Sequence, residues 1–357
     1  MVEIKSPKRP VNYFAYIVWK IAMATHYRFM RPEDISKCVN GIAAHPVLGP
    51  RYGRLIEDLP LALHSTLLHD SFRPTVFEEF HGSTTRFLGV LMAAFVPDDF
   101  LQEVKTTPFF WVGPELLKRI TRGNSPLLSD AAILEANSTC GLNLLMWHNT
   151  VHPEDLRKAD VGTPVIAAFD ESYRGFRLRE LMAQADCLEH LQAMRNAGSI
   201  YFHQDENRYG KFPEVSAQDF GNEPRNSGLS RDLALNRSGS WVGTLFLYAS
   251  PQFGFRRSEQ RLLILALNGG TDEELSSDLG ISLSAVKNGW REIYDRASAC
   301  LPELAHANSP SEEWTHDRGK QKKQYLLAYI RKHPEELRPI SRKLLQAELV
   351  QRRPAQG

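Results

Sequence analysis

Four side chains on one short stretch have the chemistry to touch a nucleic acid. Residues 280–291 read GISLSAVKNGWR, and Ser284, Lys287, Asn288 and Arg291 recur at the spacing that aligns them on one stripe of a helix. Val286, Trp290, Ile293 and Ala297 recur on the opposite stripe. One face is made for burial. The other offers a hydroxyl, an amide and two cations, donors that suit base edges and phosphates.

Such a helix needs a start, a turn before it and a platform. Ser282 supplies the start as an N-cap, with Ala285 in the first turn behind it, and Gly280 suits a left-handed turn residue. Upstream, TDEE (271–274) is a capping box in which Thr271 and Glu274 satisfy each other's backbone. Leu275 and Leu279 are expected to face inward. SEQRLLILA (258–266) reads as a further apolar helix that ends near Gly269 and Gly270. Helix, short helix, glycine turn, helix is the helix-turn-helix arrangement, whose last helix enters the major groove.

The run EQRLLILALNGGTDEELSSDLGISLSAVKNGWREIYDR (259–296) resembles the DNA-binding domain of LuxR/FixJ/NarL-type transcription regulators. The likeness rests on Glu259, Leu262, Leu263, Gly269, Thr271, Glu274, Leu275, Leu279, Gly280, Ile281, Ser282, Ser284, Val286, Lys287, Asn288, Ile293 and Tyr294. It implies a transcription regulator bound to double-stranded DNA, with a homodimer as the working unit and RNA polymerase as a further partner. The DNA-contacting set it implies is Thr271, Ser282, Ser284, Ala285, Lys287, Asn288 and Arg291. Three features depart from the family. Gly289 and Trp290 replace a polar residue and a leucine, Asp272 and Glu273 put acids where phosphates would approach, and no fourth helix follows directly. Residues 256–300 hold six Lys/Arg against seven Asp/Glu, so the basic footprint must come from elsewhere. Residues 318–357 hold eleven Lys/Arg against three Glu, a net charge of +8. This tail fits either a DNA clamp or a docked dimer helix built on YLLAYI.

Before residue 250 the chain alternates helical and strand-like stretches, which predicts an α/β or α+β domain. The patterns predict a helix at 32–46, strands at 86–96, 141–148 and 163–169, and one long helix at 177–198. Residues 203–240 are polar and rich in Gly, Asn and Ser, so they read as a surface connection, and 241–249 as a strand returning to the sheet. The expected organisation is an α/β domain over 1–250, a small all-α helix-turn-helix domain over 251–305 and a basic helical tail over 306–357. ESYRGFRLRELMAQA (171–185) follows an expected strand and opens an expected helix. It resembles the acetyl-CoA loop of GNAT acyltransferases, where glycines let backbone N–H groups reach a pyrophosphate. Arg174 and Gly175 match, while Arg177 and Arg179 stand on glycine positions. The resemblance implies a degenerate acyltransferase fold with an acyl-CoA-like ligand near Arg174, Gly175, Arg177 and Arg179. The rival is an active acyltransferase that carries a DNA-binding module. A third class is a module that docks on another protein.

Other chemistry is thin. A net charge of +1 over 357 residues excludes a globally basic nucleic-acid coat. Cys38, Cys140, Cys187 and Cys300 form no CxxC pair and read as reduced thiols, so no metal site is expected. HNTVH (148–152) sets His148 and His152 at metal-ligand spacing but lacks the glutamate, and Pro153 follows at once. His64, His69 and Asp70 sit in an apolar pattern and read as structural. No GxSxG, P-loop or receiver-type aspartate is present, so no catalytic residue is assigned. The apolar run 13–19 is too short to span a bilayer. The expectation is a cytoplasmic protein without membrane contact and without a bound cofactor.

Overall fold

A computed structural model describes residues 25–339 except 68, 82–83, 217–219, 221–222, 238, 268 and 301–315. The apolar run 13–19 and the tail beyond residue 339 lie outside the described residues. The chain opens with β1 (Thr25–Phe29), α1 (Ile35–Ala44), α2 (Leu48–Tyr52) and α3 (Leu59–Thr66). The hairpin of β2 (Thr75–His81) and β3 (Thr84–Val96) follows, then α4 (Asp98–Thr106), α5 (Val112–Thr121) and α6 (Asp130–Ser138). β4 (Leu142–Asn149) leads through α7 (Pro153–Leu156) and α8 (Ala159–Tyr173) to β5 (Leu178–Ala185). α9 (Leu188–Asn196), β6 (Ile200–His203), β7 (Arg208–Gly210), β8 (Arg225–Ser230), α10 (Arg231–Leu235) and α11 (Trp241–Thr244) come next.

Among the described residues these strands form one eight-stranded sheet in the order β1-β2-β3-β4-β5-β8-β6-β7. β4 and β5 run parallel, and every other pairing is antiparallel. A parallel pair needs a crossover, and α8 provides it. Helices cover both faces, which explains why the central strands are apolar almost throughout. On one face Val90, Met92, Ala94 and Val96 of β3 meet Ile42, Tyr52, Phe100 and Trp111. On the other, Leu91, Ala93 and Phe95 meet Val165, Phe169, Tyr173 and Phe246.

The sequence reading of β3, β4 and the first helix holds, and four other elements are corrected. Residues 163–169 lie inside α8, where Val161, Val165, Ala168, Phe169 and Tyr173 recur at helical spacing onto the sheet. A short apolar run has no period of its own, so strand and helix cannot be told apart there. Residues 177–198 are not one helix but β5 followed by α9. β5 is buried on both faces, so alternation is missing, and its Leu, Arg, Glu, Met and Ala are good helix formers. The expected connection 203–240 contains β7, β8 and α10, and β8 is an interior strand between β5 and β6. The expected strand 241–249 is α11 with a turn, started by Ser240 Oγ accepting the Gly243 N–H.

The helical region follows the sequence more closely. α12 (Arg257–Leu267), α13 (Asp272–Leu279), α14 (Leu283–Ser298) and α15 (His316–Lys332) share a core of their own. It gathers Phe253, Phe255, Leu262, Leu263, Leu275, Val286, Trp290 and Ile293 with Leu326, Leu327, Ile330 and Leu337 from the far end of the chain. No helix among the described residues is long and apolar enough to cross a membrane.

Candidate nucleic-acid interface

The cap chemistry of α13 and α14 forms as the sequence dictates. Thr271 Oγ1 accepts the Glu274 N–H at 3.2 Å and Glu274 Oε2 accepts the Thr271 N–H at 2.8 Å. α13 ends on Gly280 with φ 63°, a left-handed conformation that a side chain would strain. Ser282 Oγ then accepts the Ala285 N–H at 3.2 Å and starts α14. Ser276 Oγ closes the turn by donating to the Ile281 carbonyl at 2.6 Å. Two helices are thereby held at a fixed angle by local bonds.

α14 buries Val286, Trp290, Ile293 and Ala297. Ser284, Lys287, Asn288 and Arg291 are exposed on the other side. Lys287, Asn288 and Arg291 have no side-chain partner among the described residues, so their donors point into water. Ser284 Oγ lies 2.9 Å from Ser282 Oγ. Of the expected contact set, Thr271 and Ser282 are exposed and spend an acceptor on capping, and Ala285 is half-buried. Leu279, expected to face inward, is also only half-buried, while Leu275 is fully covered.

Asp272 and Trp290, two of the residues that depart from the expected pattern, form one cluster with Lys323. Trp290 Nε1 donates to Asp272 Oδ1 at 3.2 Å, and Lys323 Nζ of α15 donates to the same oxygen at 2.9 Å. The Lys323 ammonium also lies 4.8 Å from the centre of the Trp290 ring, and Tyr294 stacks on that ring at 5.7 Å. Asp272 thus spends its charge inside the protein instead of facing a phosphate. Gly289 lets α12 approach closely: a methyl in its place would lie 3.0 Å from Leu262 Cδ2. α15 arrives late in sequence and packs Leu326, Leu327 and Ile330 into the shared core. Buried Glu259 ties the first and third helices, accepting the Arg256 N–H at 2.6 Å and facing Arg296 Nε at 3.2 Å. Lys323 escaped the sequence reading because nothing local marks a lysine that neutralises an aspartate far back in the chain.

The loop expected to hold an acyl-CoA-like ligand is built differently. It runs from α8 into β5, helix to strand, so no helix N-terminus faces a ligand at Gly175. Arg174 Nη2 donates to the Arg331 carbonyl at 2.9 Å, and Gly175 has φ 85° with Glu335 N 2.6 Å from where a Cβ would sit. The Arg177 N–H goes to Asn137 Oδ1 at 2.8 Å, and Arg179 Nη1 to Asp98 Oδ2 at 2.8 Å. Arg174 and Gly175 meet the end of the described chain, whereas Arg177 and Arg179 tie the start of β5 to α6 and α4.

The two histidines of HNTVH also separate. His152 caps α7, its Nδ1 accepting the Glu154 N–H at 3.3 Å. His148 is buried near the end of β4, with Nε2 2.6 Å from the Tyr52 hydroxyl. Burial pushes its pKa down to about 4, against the opposing pull of Asp186. An apolar cavity of about 30 Å³ adjoins Tyr52 and is lined also by Leu63, Phe72, Met92, Leu117 and Trp147. That is room for about one water molecule.

No protein-family model, curated protein or solved structure matches this chain.

Proposed function

We propose that this protein is a DNA-binding transcription regulator whose α14 reads double-stranded DNA, with the α/β domain serving as its sensing or scaffolding part. The observation that carries the reading is the division of α14 into a buried stripe and an exposed stripe that bears Ser284, Lys287, Asn288 and Arg291, the last three without a side-chain partner among the described residues. Polar donors on a rigid helix, left unsatisfied inside the protein, suit a partner that supplies acceptors. A major groove does so on base edges and on flanking phosphates. The capped turn at Gly280 favours the same reading, because a short helix, a glycine turn and a second helix are the helix-turn-helix arrangement. The regulator would act as a homodimer on paired half-sites, with RNA polymerase as its further partner.

The test starts by recovering bound fragments from a genomic library with the purified protein, which defines a preferred site. Binding isotherms at several salt concentrations then compare that site with random DNA for wild type and Lys287→Ala. A base-edge contact carries roughly 1–3 kcal/mol of discrimination, whereas a phosphate contact weakens all sequences evenly. Lys287→Ala is expected to lose far more affinity on the preferred site than on random DNA. Equal losses would take base reading away from Lys287. Failure to enrich any fragment would sink the DNA reading itself.

A further inference from the structure

Three metal-ligand side chains converge at the junction of β5 and α9, in the sequence DCLEH (186–190). β5 ends at Ala185 and α9 begins at Leu188, so Asp186 and Cys187 fill the connection and His190 occupies the first turn of the helix. One donor atom from each of Asp186, Cys187 and His190 lies within 4.8 Å of the other two. Asp186 and His190 are 3% and 4% exposed, so the cluster is nearly shut off from water, with half-buried Cys187 at its edge.

The surrounding bonds orient these donors as ligands. His190 Nε2 lies 3.3 Å from the Val151 carbonyl, which can only accept, so that nitrogen carries a proton. Nδ1 is the nitrogen that faces Asp186 Oδ1, at 2.5 Å. His45 is set the other way round. Its Nδ1 accepts the Val47 and Leu48 N–H groups at 3.3 and 3.2 Å, which leaves the proton on Nε2, 3.8 Å from Asp186 Oδ2. A histidine whose far nitrogen donates to a carbonyl, beside a carboxylate that an outer N–H faces at 3.8 Å, is an arrangement that can support a metal.

We propose that Asp186, Cys187 and His190 bind a zinc-class divalent ion, with His45 as the outer group that positions Asp186. The mixed oxygen, sulfur and nitrogen donor set suits zinc, and three protein ligands leave a fourth position for water or a small ligand. Charge favours it: a divalent cation with one carboxylate, one thiolate and a neutral imidazole sums to zero, which burial requires. The ion replaces the Cys187 thiol proton and any proton on His190 Nδ1, both released to solvent. Donors about 2.0–2.1 Å from one ion sit roughly 3.3 Å apart, so Asp186 and His190 separate by somewhat less than 1 Å on binding. The site joins β5, α9, the Val151 segment and the end of α1, and it lies at the carboxyl end of β5, one strand of the parallel pair.

The test uses the full chain, stripped with a chelator and titrated with Zn²⁺ against a chromophoric competitor, and in parallel with Co²⁺. The expected result is one tight equivalent of zinc per chain. The cobalt form should show a thiolate charge-transfer band and the visible bands of a four-coordinate ion. Cys187→Ser, a near-isosteric change at a half-buried position, should erase the charge-transfer band. Asp186→Asn should abolish tight zinc binding, and His45→Gln should weaken it about 10- to 100-fold while keeping the band. Circular dichroism confirms that each variant is folded. Absence of a tight zinc equivalent in wild type would overturn the proposal. So would a charge-transfer band that survives Cys187→Ser, which would place the ion on another thiol.

Discussion

The exposed face of α14 and the buried junction of β4, β5 and α9 treat polar groups in opposite ways. On α14, Lys287, Asn288 and Arg291 keep their donors in water and have no fixed partner among the described residues. At the junction, Tyr52, His148, Asp186 and His190 are all less than 5% exposed, and each is within hydrogen-bond reach of another group. The difference separates a surface whose donors are open to solvent from a cluster whose geometry is set in advance. Free side chains lose entropy when they bind but tolerate substitution, whereas locked ones cannot change without disturbing their neighbours.

That contrast predicts a graded series. The largest effect belongs to the core beneath α14: Leu263, fully buried, should not accept a carboxylate. Leu263→Asp is expected to cost several kcal/mol and to melt α12–α15. Loss of helical circular dichroism and rapid proteolysis in that region would show it; a fully protected variant would refute the shared core. The next effect is pH-linked. His148 has a folded pKa of about 4, below its ordinary 6.5, and the groups facing it are Tyr52, Asp186 and His45. The unfolded chain therefore takes up this proton first, so stability is complete above pH 6.5 and falls as pH drops towards 4. The loss should reach about 3 kcal/mol, and His148→Asn should flatten that part of the curve in urea melts taken from pH 7 to 4. An unchanged slope in the variant would assign the acid sensitivity to other groups.

Smaller effects lie at the surface. Lys323→Ala removes the ion pair to Asp272 and the cation over Trp290, and should cost about 1 kcal/mol, partly screened by salt. A cost that persists unchanged in high salt would mean that Lys323 acts through packing alone. Lys287→Ala and Arg291→Ala should change stability by no more than about 0.5 kcal/mol, because neither side chain has a partner among the described residues. A larger shift in melting temperature would mean that the α14 face is already engaged within the chain.

What was legible in the sequence follows how locally each feature is specified. Thr271, Glu274, Gly280 and Ser282 act within four residues of themselves, and the caps and turn form as read. The stripe of Val286, Trp290, Ile293 and Ala297 was equally plain, because one helix face carries the whole signal. Leu279 packs against the core as read but stays half-buried, because its cover depends on neighbours that no local pattern names. β5 was hidden by burial on both faces, and that error concealed the metal-ligand cluster. On one continuous helix, Asp186, Cys187 and His190 would have been ordinary helical positions. Once a strand ends at Ala185, they gather at its tip. The spacing D-C-x-x-H was the available signal, and attention to CxxC pairs passed over it. The elements of the stretch 171–185 were misread for the same reason, since a helix-to-strand turn was taken for a strand-to-helix one.

The end of the described chain acts as a strap. Glu336 accepts the N–H groups of Gln252 and Phe253, and Arg338 donates to the carbonyls of Glu171 and Arg174 beside the Phe176 ring. Leu337 enters the helical core between these two anchors. A ribosome builds the chain from its other end, so α12, α13 and α14 emerge while α15 and the strap are still unmade. Until Leu326, Leu327, Ile330 and Leu337 arrive, the apolar side of α12 is open to solvent and to other nascent chains. The α/β sheet can close during synthesis, but the helical module has to wait for α15 and Leu337. A truncated message that stops before residue 326 would therefore yield a folded sheet carrying a sticky, unfinished module.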